Sequence, residues 1–502
     1  MTTASEQRLL RSNLGAAMLG FGLPLALGMG LQVTFNLVDA FLVSRLESER
    51  AGAALGAIGI CDQLAAIGSI VSYGYTTAAA TLMSHRQGSG DFVGARRVAW
   101  QSTLAVCGLG MLFALVGLFS SHWLMADVMG AKGLVLELGT EYLRIIVGGN
   151  VTIFLLLHLT SLQRALGSSK TPIILLVSSN AINLVLAVLL VYGPGEAPAA
   201  FAWGPKLATQ LSIPRLGLLG AAWATVIARV IVLVPVIFIT VRRFGLFRHD
   251  ARGPLSKTLE KELWGLGWPA SAQLVLRIAA TLAIQALVAR RFTTTTDQTA
   301  TTALGVVFRL ETMALFIGLG WGSAAQTFVG QNLGAENPAR AKRSGWIAAA
   351  YNAAMMALLA IIYVVFGQPI VEFFSDSPRV VDLARSYLRI VGPSYVGLGV
   401  GVVLGAAMQA AKIPRLSLGL DLIVLAGLLI PTSAVAAILG TSPRPLYWTI
   451  AVAYGSFALV YAFAYHRSAF GQSQPPHLAV SIPASIDFEV DQGFDEQQQA
   501  RS

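Results

Sequence analysis

Charge is what this sequence has least of. Of 502 residues, 12% are Asp, Glu, Lys or Arg, about half the share found in a soluble globular chain. So few charges cannot cover a water-facing surface of this length, which excludes a soluble class. Cysteine is nearly absent: Cys61 and Cys107 both fall inside apolar runs and read as small core residues, leaving no disulfide framework and no thiolate metal site. There are six histidines, no two of them at metal-ligand spacing, and His158 stands alone in its run. "GLGWGS", residues 318–323, has the spaced glycines of a phosphate loop but lies within an apolar run, where close helix packing accounts for them. No carboxylate or histidine cluster marks an interfacial loop, so an enzyme is not expected, and neither is a cofactor.

What the chain has instead is hydrophobic length. Hydrophobic residues make up 55% of it, with a mean hydropathy of +0.67. A spanning helix takes about 20 mostly apolar residues. Twelve such runs follow one another, near 14–44, 52–84, 97–124, 135–166, 171–193, 216–243, 263–290, 300–333, 344–375, 381–411, 415–440 and 446–466. They are too long for barrel strands, so each predicts a membrane helix that satisfies its own backbone. The first run has no small-residue cleavage site behind it and reads as a retained helix.

The net charge of +10 falls into a pattern. Arg8, Arg11, Arg86, Arg96, Arg97, Arg164, Lys170, the central Arg242 to Lys261 stretch, Arg340, Lys342, Arg343, Lys412, Arg415 and Arg467 all fall on alternate connections. This is the positive-inside bias. It predicts both termini in the cytoplasm and argues against nucleic acid as partner, since no basic patch adjoins a reading module.

The chain is also written twice. "GYTTAAATLMSHRQGSGDFVGARR" (74–97) aligns without a gap on "GWGSAAQTFVGQNLGAENPARAKR" (320–343), pairing Gly74 with Gly320, Gly88 with Gly334 and Arg97 with Arg343. "EYLRI" at 141–145 answers "SYLRI" at 386–390, Pro172 answers Pro414, and Pro24 answers Pro269, all at offsets of about 242–246. Six spans per copy is an even number, so the copies share orientation. The expected fold is all-α integral membrane: twelve transmembrane helices in two six-helix lobes related by a pseudo-twofold axis along the membrane normal, with a ligand site between them. The expected boundaries are 1–243 for the first lobe, 244–262 for a charged cytoplasmic loop, 263–467 for the second lobe and 468–502 for a polar, disordered cytoplasmic tail.

Polar residues inside the spans are the candidate site, because a carboxylate in hydrocarbon costs about 3 kcal/mol or more and faces protein or water. Gln32, Asn36 and Asp39 share one face of span one at i, i+4 and i+7. Pro24, earlier in the same span, removes a backbone donor and can hinge it. Gln273 and Arg277 lie in span seven, and Arg309 and Glu311 in span eight. By the repeat, Arg277 sits where Gln32 sits and Arg309 where Gln63 sits, beside Asp62. These residues are expected on both walls of one cleft. Asp62 and Glu311 there either attract a cationic substrate or are neutralised by Arg277 or Arg309. Asp421 is open in the same way. Phe35, Tyr73 and Tyr75 can stack on flat cations or simply pack.

The order Pro24, Gln32, Asn36, Asp39, the glycine-rich ends of spans two and eight, "YLRI", "RALGSSKTP", "GAAWAT" and "VGQNLGAEN" resembles the multidrug and toxic compound extrusion (MATE) family over about residues 14–466. The resemblance implies a multi-pass inner-membrane antiporter that exports small organic, often cationic, compounds in exchange for protons or Na⁺. It is expected to work as a monomer, without ATP. Asp39 falls on the family's coupling carboxylate, with Asn36, Asn183 and Thr225 as neighbours. Asn183 and Thr225 also read as ordinary interhelical hydrogen-bonding groups. Ala187 stands where one branch of the family has a further aspartate, and Ser44 where a glycine is usual. With one charged ligand missing, the resemblance favours H⁺ over Na⁺ and leaves Asp39 as lone proton carrier. The alternative function is a lipid-linked precursor flippase of the same superfamily.

Overall fold

The structure is a computed structural model. It describes residue 10 and residues 12–46, 48–242, 244–247, 254–294, 297–468 and 470, without the side chains of 33–40, 44, 48–53, 55, 63 and 66. Residues 1–470 form one compact unit. Apart from Ser468 and Phe470, the expected disordered tail lies outside the described residues.

Among the described residues there is no strand, and twelve helices are long and apolar enough to cross a membrane. They are α1 (Leu14–Ser44), α2 (Ser48–Gly88), α3 (Phe92–Trp123), α4 (Gly133–Gly148 and Asn150–Ala165), α5 (Lys170–Tyr192) and α6 (Leu218–Arg242) in the first half. In the second half they are α7 (Lys257–Phe292), α8 (Thr299–Gly334), α9 (Pro338–Glu372), α10 (Pro378–Val391 and Tyr395–Ala410), α11 (Pro414–Leu439) and α12 (Arg444–Arg467). Hydropathy anticipated most of these bounds to within two or three residues, and the starts of α7 and α9, which carry polar first turns, to within six. It did not anticipate the short helix Trp203–Gln210 between α5 and α6.

The repeat recurs in the local geometry. The Asp91 side chain caps α3 through Gly94 N (2.8 Å), and its counterpart Asn337 caps α9 through Arg340 N (3.0 Å). Left-handed φ falls at Gly90 (79°) and again at Glu336 (56°), then at Gly167 (87°) and again at Lys412 (61°). Both α4 and α10 break midway, at Gly149 and at Gly392–Ser394. The halves diverge in α11, where Leu422–Leu429 winds as a π-helix.

α1 and α7 each serve two cores. Leu14, Met18, Phe21 and Leu25 of α1 pack into the second-half cluster, with Phe21 edge-on to Phe328 at 5.6 Å between ring centroids, whereas Leu42 and Val43 belong to a first-half cluster. Reciprocally, Leu259 and Leu263 at the start of α7 pack into the first half, and Ala280, Ile284 and Val288 into the second. Pro24 and Pro269 lie inside unbroken helices, close to where each changes core.

Candidate functional site

The two halves meet most tightly at the ends that carry the basic loops. Gly88 touches the backbone of Gln331, and Gly334 touches that of His85, so closely that a Cβ at either glycine would overlap it. Farther along the helices, Gly74 lies against Gly267 and Ser271 of α7, and Gly320 against Leu25 and Ala26 of α1. Hydrogen bonds reinforce this end. Gln326 Nε2 donates to Thr77 O (2.9 Å) and Thr81 Oγ1 (3.0 Å), Gln331 Nε2 to Ala165 O (2.7 Å), and His85 Nε2 to Ala410 O (2.7 Å). The chain leading into α7 is tied down as well. Gln101 exchanges two bonds with the Ser256 backbone (2.8 and 2.9 Å), and Tyr75 Oη donates to Glu260 (2.9 Å).

Above this clasp, the faces of α2 and α8 that meet across it continue towards the opposite end of the bundle. The half-buried and exposed residues of α8 run Gln326, Ser323, Leu319, Phe316, Thr312, Arg309 at helical spacing. Arg309, exposed, lies seventeen residues from Gln326, about a quarter turn round the helix from it. On α2 the line from Thr77 through Tyr73 reaches Asp62, also exposed, which interacts electrostatically with Arg229 of α6. Asp62 and Arg309 thus occupy close to repeat-equivalent positions on α2 and α8, the two helices joined at the clasp. Arg229, inside the sixth apolar run, was not singled out in the sequence, although an arginine there is itself an intramembrane signal.

The other second-half candidates lie within the packing of the second half itself. Arg277 clamps Asp421 with Nε to Oδ2 at 2.8 Å and Nη2 to Oδ1 at 3.3 Å; their side chains are 17% and 0% exposed. Tyr461 Oη donates to the same Oδ1. So Arg277 neutralises neither Asp62 nor Glu311, but Asp421. Gln273, expected in the substrate cavity, is buried in the same network: it donates to Ser417 Oγ (2.8 Å) and Tyr461 Oη (3.2 Å) and accepts from Gln409 (2.7 Å). Glu311, likewise expected to face substrate, is buried and accepts from Tyr387 (2.7 Å) and Tyr454 (2.6 Å). Beside it lies a cavity of about 110 Å³, bordered by Arg277, Thr281, Glu311, Thr312, Tyr454 and the π-helical Leu425 and Leu429. The tyrosines had no signal in the sequence, since only folding brings α10 and α12 to Glu311.

In the first half, the Asn36 and Asp39 side chains lie outside the described residues, although both positions are helical in α1. Gln32 is half-buried, and Asn183 is buried in α5. Thr225 donates to Ala221 O of its own helix (2.9 Å). His158 is buried between two hydroxyls, Thr76 Oγ1 (3.2 Å) and Ser102 Oγ (3.1 Å), and pins α4 to α2 and α3.

Comparison with known proteins places this architecture. The chain is similar to the FAD transporter of Shewanella oneidensis, at 26% identity over 86% of this chain and 89% of that one. It is also similar to the multidrug export protein MepA of Staphylococcus haemolyticus, at 24% identity over 80% and 82%. Among solved structures, a multidrug resistance MATE transporter in its outward-facing conformation superposes with a TM-score of 0.82 at 20% identity, covering 93% of this chain and 98% of that one. A MOP superfamily transporter from Pyrococcus furiosus, described as having a binding pocket of reverse polarity, superposes with a TM-score of 0.81 over the same shares. The MatE family profile matches residues 24–189 and 269–435, one match in each half. This duplicated bundle of twelve membrane-length helices is thus a membrane transporter and not an enzyme, and the chain belongs to the MatE family.

Proposed function

We propose that this protein is a secondary antiporter that exports organic cations in exchange for protons by alternating access. It sits in the inner membrane as a monomer, with both termini and the basic clasp on the cytoplasmic side, and needs no resident cofactor. The lobes are residues 1–243 and 263–467, joined by 244–262, with the tail at 468–502. The observation that supports the reading is the reciprocal glycine packing of the two halves at the basic end, with Asp62 exposed farther along α2. A carboxylate within an apolar membrane span favours its neutral form, because charge is costly away from water. Asp39 can therefore take a proton from outside, reorganise α1 about Pro24 with Asn36, Asn183 and Thr225 as neighbours, and displace substrate held along Gln32, Asp62 and Arg309. The lobes then rock, and the proton leaves inside. H⁺ is preferred to Na⁺ because Ala187 supplies no second charged ligand.

A second reading is favoured by an arginine within the spans. Arg277 is taken up by Asp421, but Arg309 is exposed and suits an anionic compound, and the relative from Shewanella oneidensis is described as an FAD transporter. One experiment separates these ideas. Purified protein in liposomes is given a fluorescent organic cation or a flavin nucleotide, under an imposed pH gradient or an imposed Na⁺ gradient, as wild type and as Asp39→Asn. Cation exchange driven by pH and abolished in the variant is expected. Wild-type exchange in Asp39→Asn rejects the coupling role, and flavin movement without cation movement rejects the substrate class.

A further inference from the structure

A groove of about 590 Å³ runs down the outside of the second half between α11 and α12. Leu416 and Leu420 of α11 form one wall, and Leu459, Phe463 and Arg467 of α12 the other. Their spacing is i, i+4 on the first helix and i, i+4, i+8 on the second, so each wall is one helix face. Leu459 is 75% exposed and Phe463 58%, which in a membrane-spanning helix turns them towards lipid and away from the contacts between the halves. The stretch of α12 from Leu459 to Arg467 covers about 12 Å, and one leaflet of hydrocarbon is about 15 Å deep. The groove is therefore apolar over most of the depth of a leaflet and carries a cation at its water-facing end.

That end belongs to the basic side of the bundle. Arg467 folds over the Phe463 ring, with Cζ 4.3 Å from the ring centroid, so its guanidinium lies at the mouth. Arg415 immediately precedes Leu416 and is exposed. Lys342 of α9 donates to His466 O (2.6 Å) and to O of Ser468 (3.2 Å), which itself borders the groove. Among the described residues none of these three cations pairs with a carboxylate. A basic residue that closes a helix, as Arg467 does, suits the helix dipole. Arg415 does not: it stands in the first turn of α11, where the dipole opposes a cation and no acid offsets it. A bound anion relieves this unbalanced charge. The inner sides of the same turns hold Ser417, Asp421 and Tyr461, with Tyr461 Oη donating to Ser417 O at 2.9 Å. An acyl chain in the groove thus braces α11 and α12 behind the Arg277–Asp421 pair.

We infer that this groove binds one anionic phospholipid of the leaflet at the basic end, its phosphate held by Arg415 and Arg467 and one acyl chain laid between α11 and α12. The site stands whichever substrate or ion the protein exchanges. Native mass spectrometry of the purified full-length protein in neutral detergent tests it, with dioleoylphosphatidylglycerol or dioleoylphosphatidylcholine added. One phosphatidylglycerol is expected to be retained at concentrations where phosphatidylcholine is not. Arg415→Gln combined with Arg467→Gln weakens that retention roughly thirtyfold and abolishes the preference; either change alone weakens it about fivefold, and the single variants decide should the double one not fold. Phe463→Ala, at an exposed position, weakens both lipids alike. Equal retention of the two lipids by wild type, a preference that survives both arginine changes, or binding untouched by Phe463→Ala overturns the site. So does full competition by glycerol 3-phosphate, which has no acyl chain and would mark an adventitious ion only. A dimer that is lost in Phe463→Ala would give this face to a second copy of the chain and overturns it too.

Discussion

At the scale of residues, the second lobe holds its charges in closed arrangements. Asp421 is fully buried and receives both Arg277 and Tyr461, so it spends its acceptor capacity inside the protein. Removing one member of such a pair leaves the other as an uncompensated buried ion. Asp421→Asn is expected to destabilise the protein by about 3–5 kcal/mol, read as an earlier thermal unfolding transition in detergent. Adding Arg277→Gln to that variant should recover most of the loss, and a double variant no better than the single one refutes a private pair. This pairing was not legible in the sequence. A lone aspartate in "RLSLGLDLIVLAGLL" shows that something must neutralise it, but not what. Arg277 lies far off in the chain and was as plausible a partner for Glu311 or Asp62. Gln273 misled for the same reason: an amide in an apolar run announces a polar contact without telling whether that contact is a substrate or the serine, tyrosine and glutamine that bind it here.

At the scale of elements, the helices themselves were readable, because hydrophobic length and the absence of water leave the backbone one solution. The repeat was readable too, and with it the glycines of α2 and α8. What they do became visible only once their partners were known. A side chain at Gly88 must displace the Gln331 backbone, and one at Gly334 the His85 backbone. Overpacking of this sort costs about 1–3 kcal/mol, enough to shift a closed-to-open ratio roughly tenfold. Gly88→Val should thus loosen the basic end of the bundle. A cysteine replacing Gln326, which bonds Thr77 O and Thr81 Oγ1 in the closed clasp, should react with an aqueous maleimide roughly ten times faster in that background. Equal rates would mean that the helices absorb the added volume without parting.

At the scale of the molecule, the scaffold is duplicated and the chemistry is not. By the repeat offset, Asp39 faces Ile284 as its counterpart, Asp62 faces Phe308, Glu311 faces Ala65 and Asp421 faces Ser179. Each lobe carries acids where the other carries none. The lobes are held together by buried contact more than by the connecting chain, since α1 and α7 each cross into the opposite core. Protein cleaved between residues 248 and 253 is expected to purify as one particle and to keep most of its unfolding temperature. Separation of the pieces in mild detergent would show that the connection carries the assembly.

The glycine contacts are reciprocal. Gly88 rests on Gln331, and Gly334, its counterpart, rests on His85, the counterpart of Gln331; Gly74 rests on Ser271, and Gly320 on Ala26, the counterpart of Ser271. Contact in which i meets j and j meets i is the isologous interface of a twofold homodimer. The surface between the lobes is therefore one that a six-helix protein could present to its own twin. In such a twin every acid would appear twice, once on each side of the axis. Fusion into one chain removes that constraint, and it is what allows a carboxylate to stand at Asp39 opposite an isoleucine.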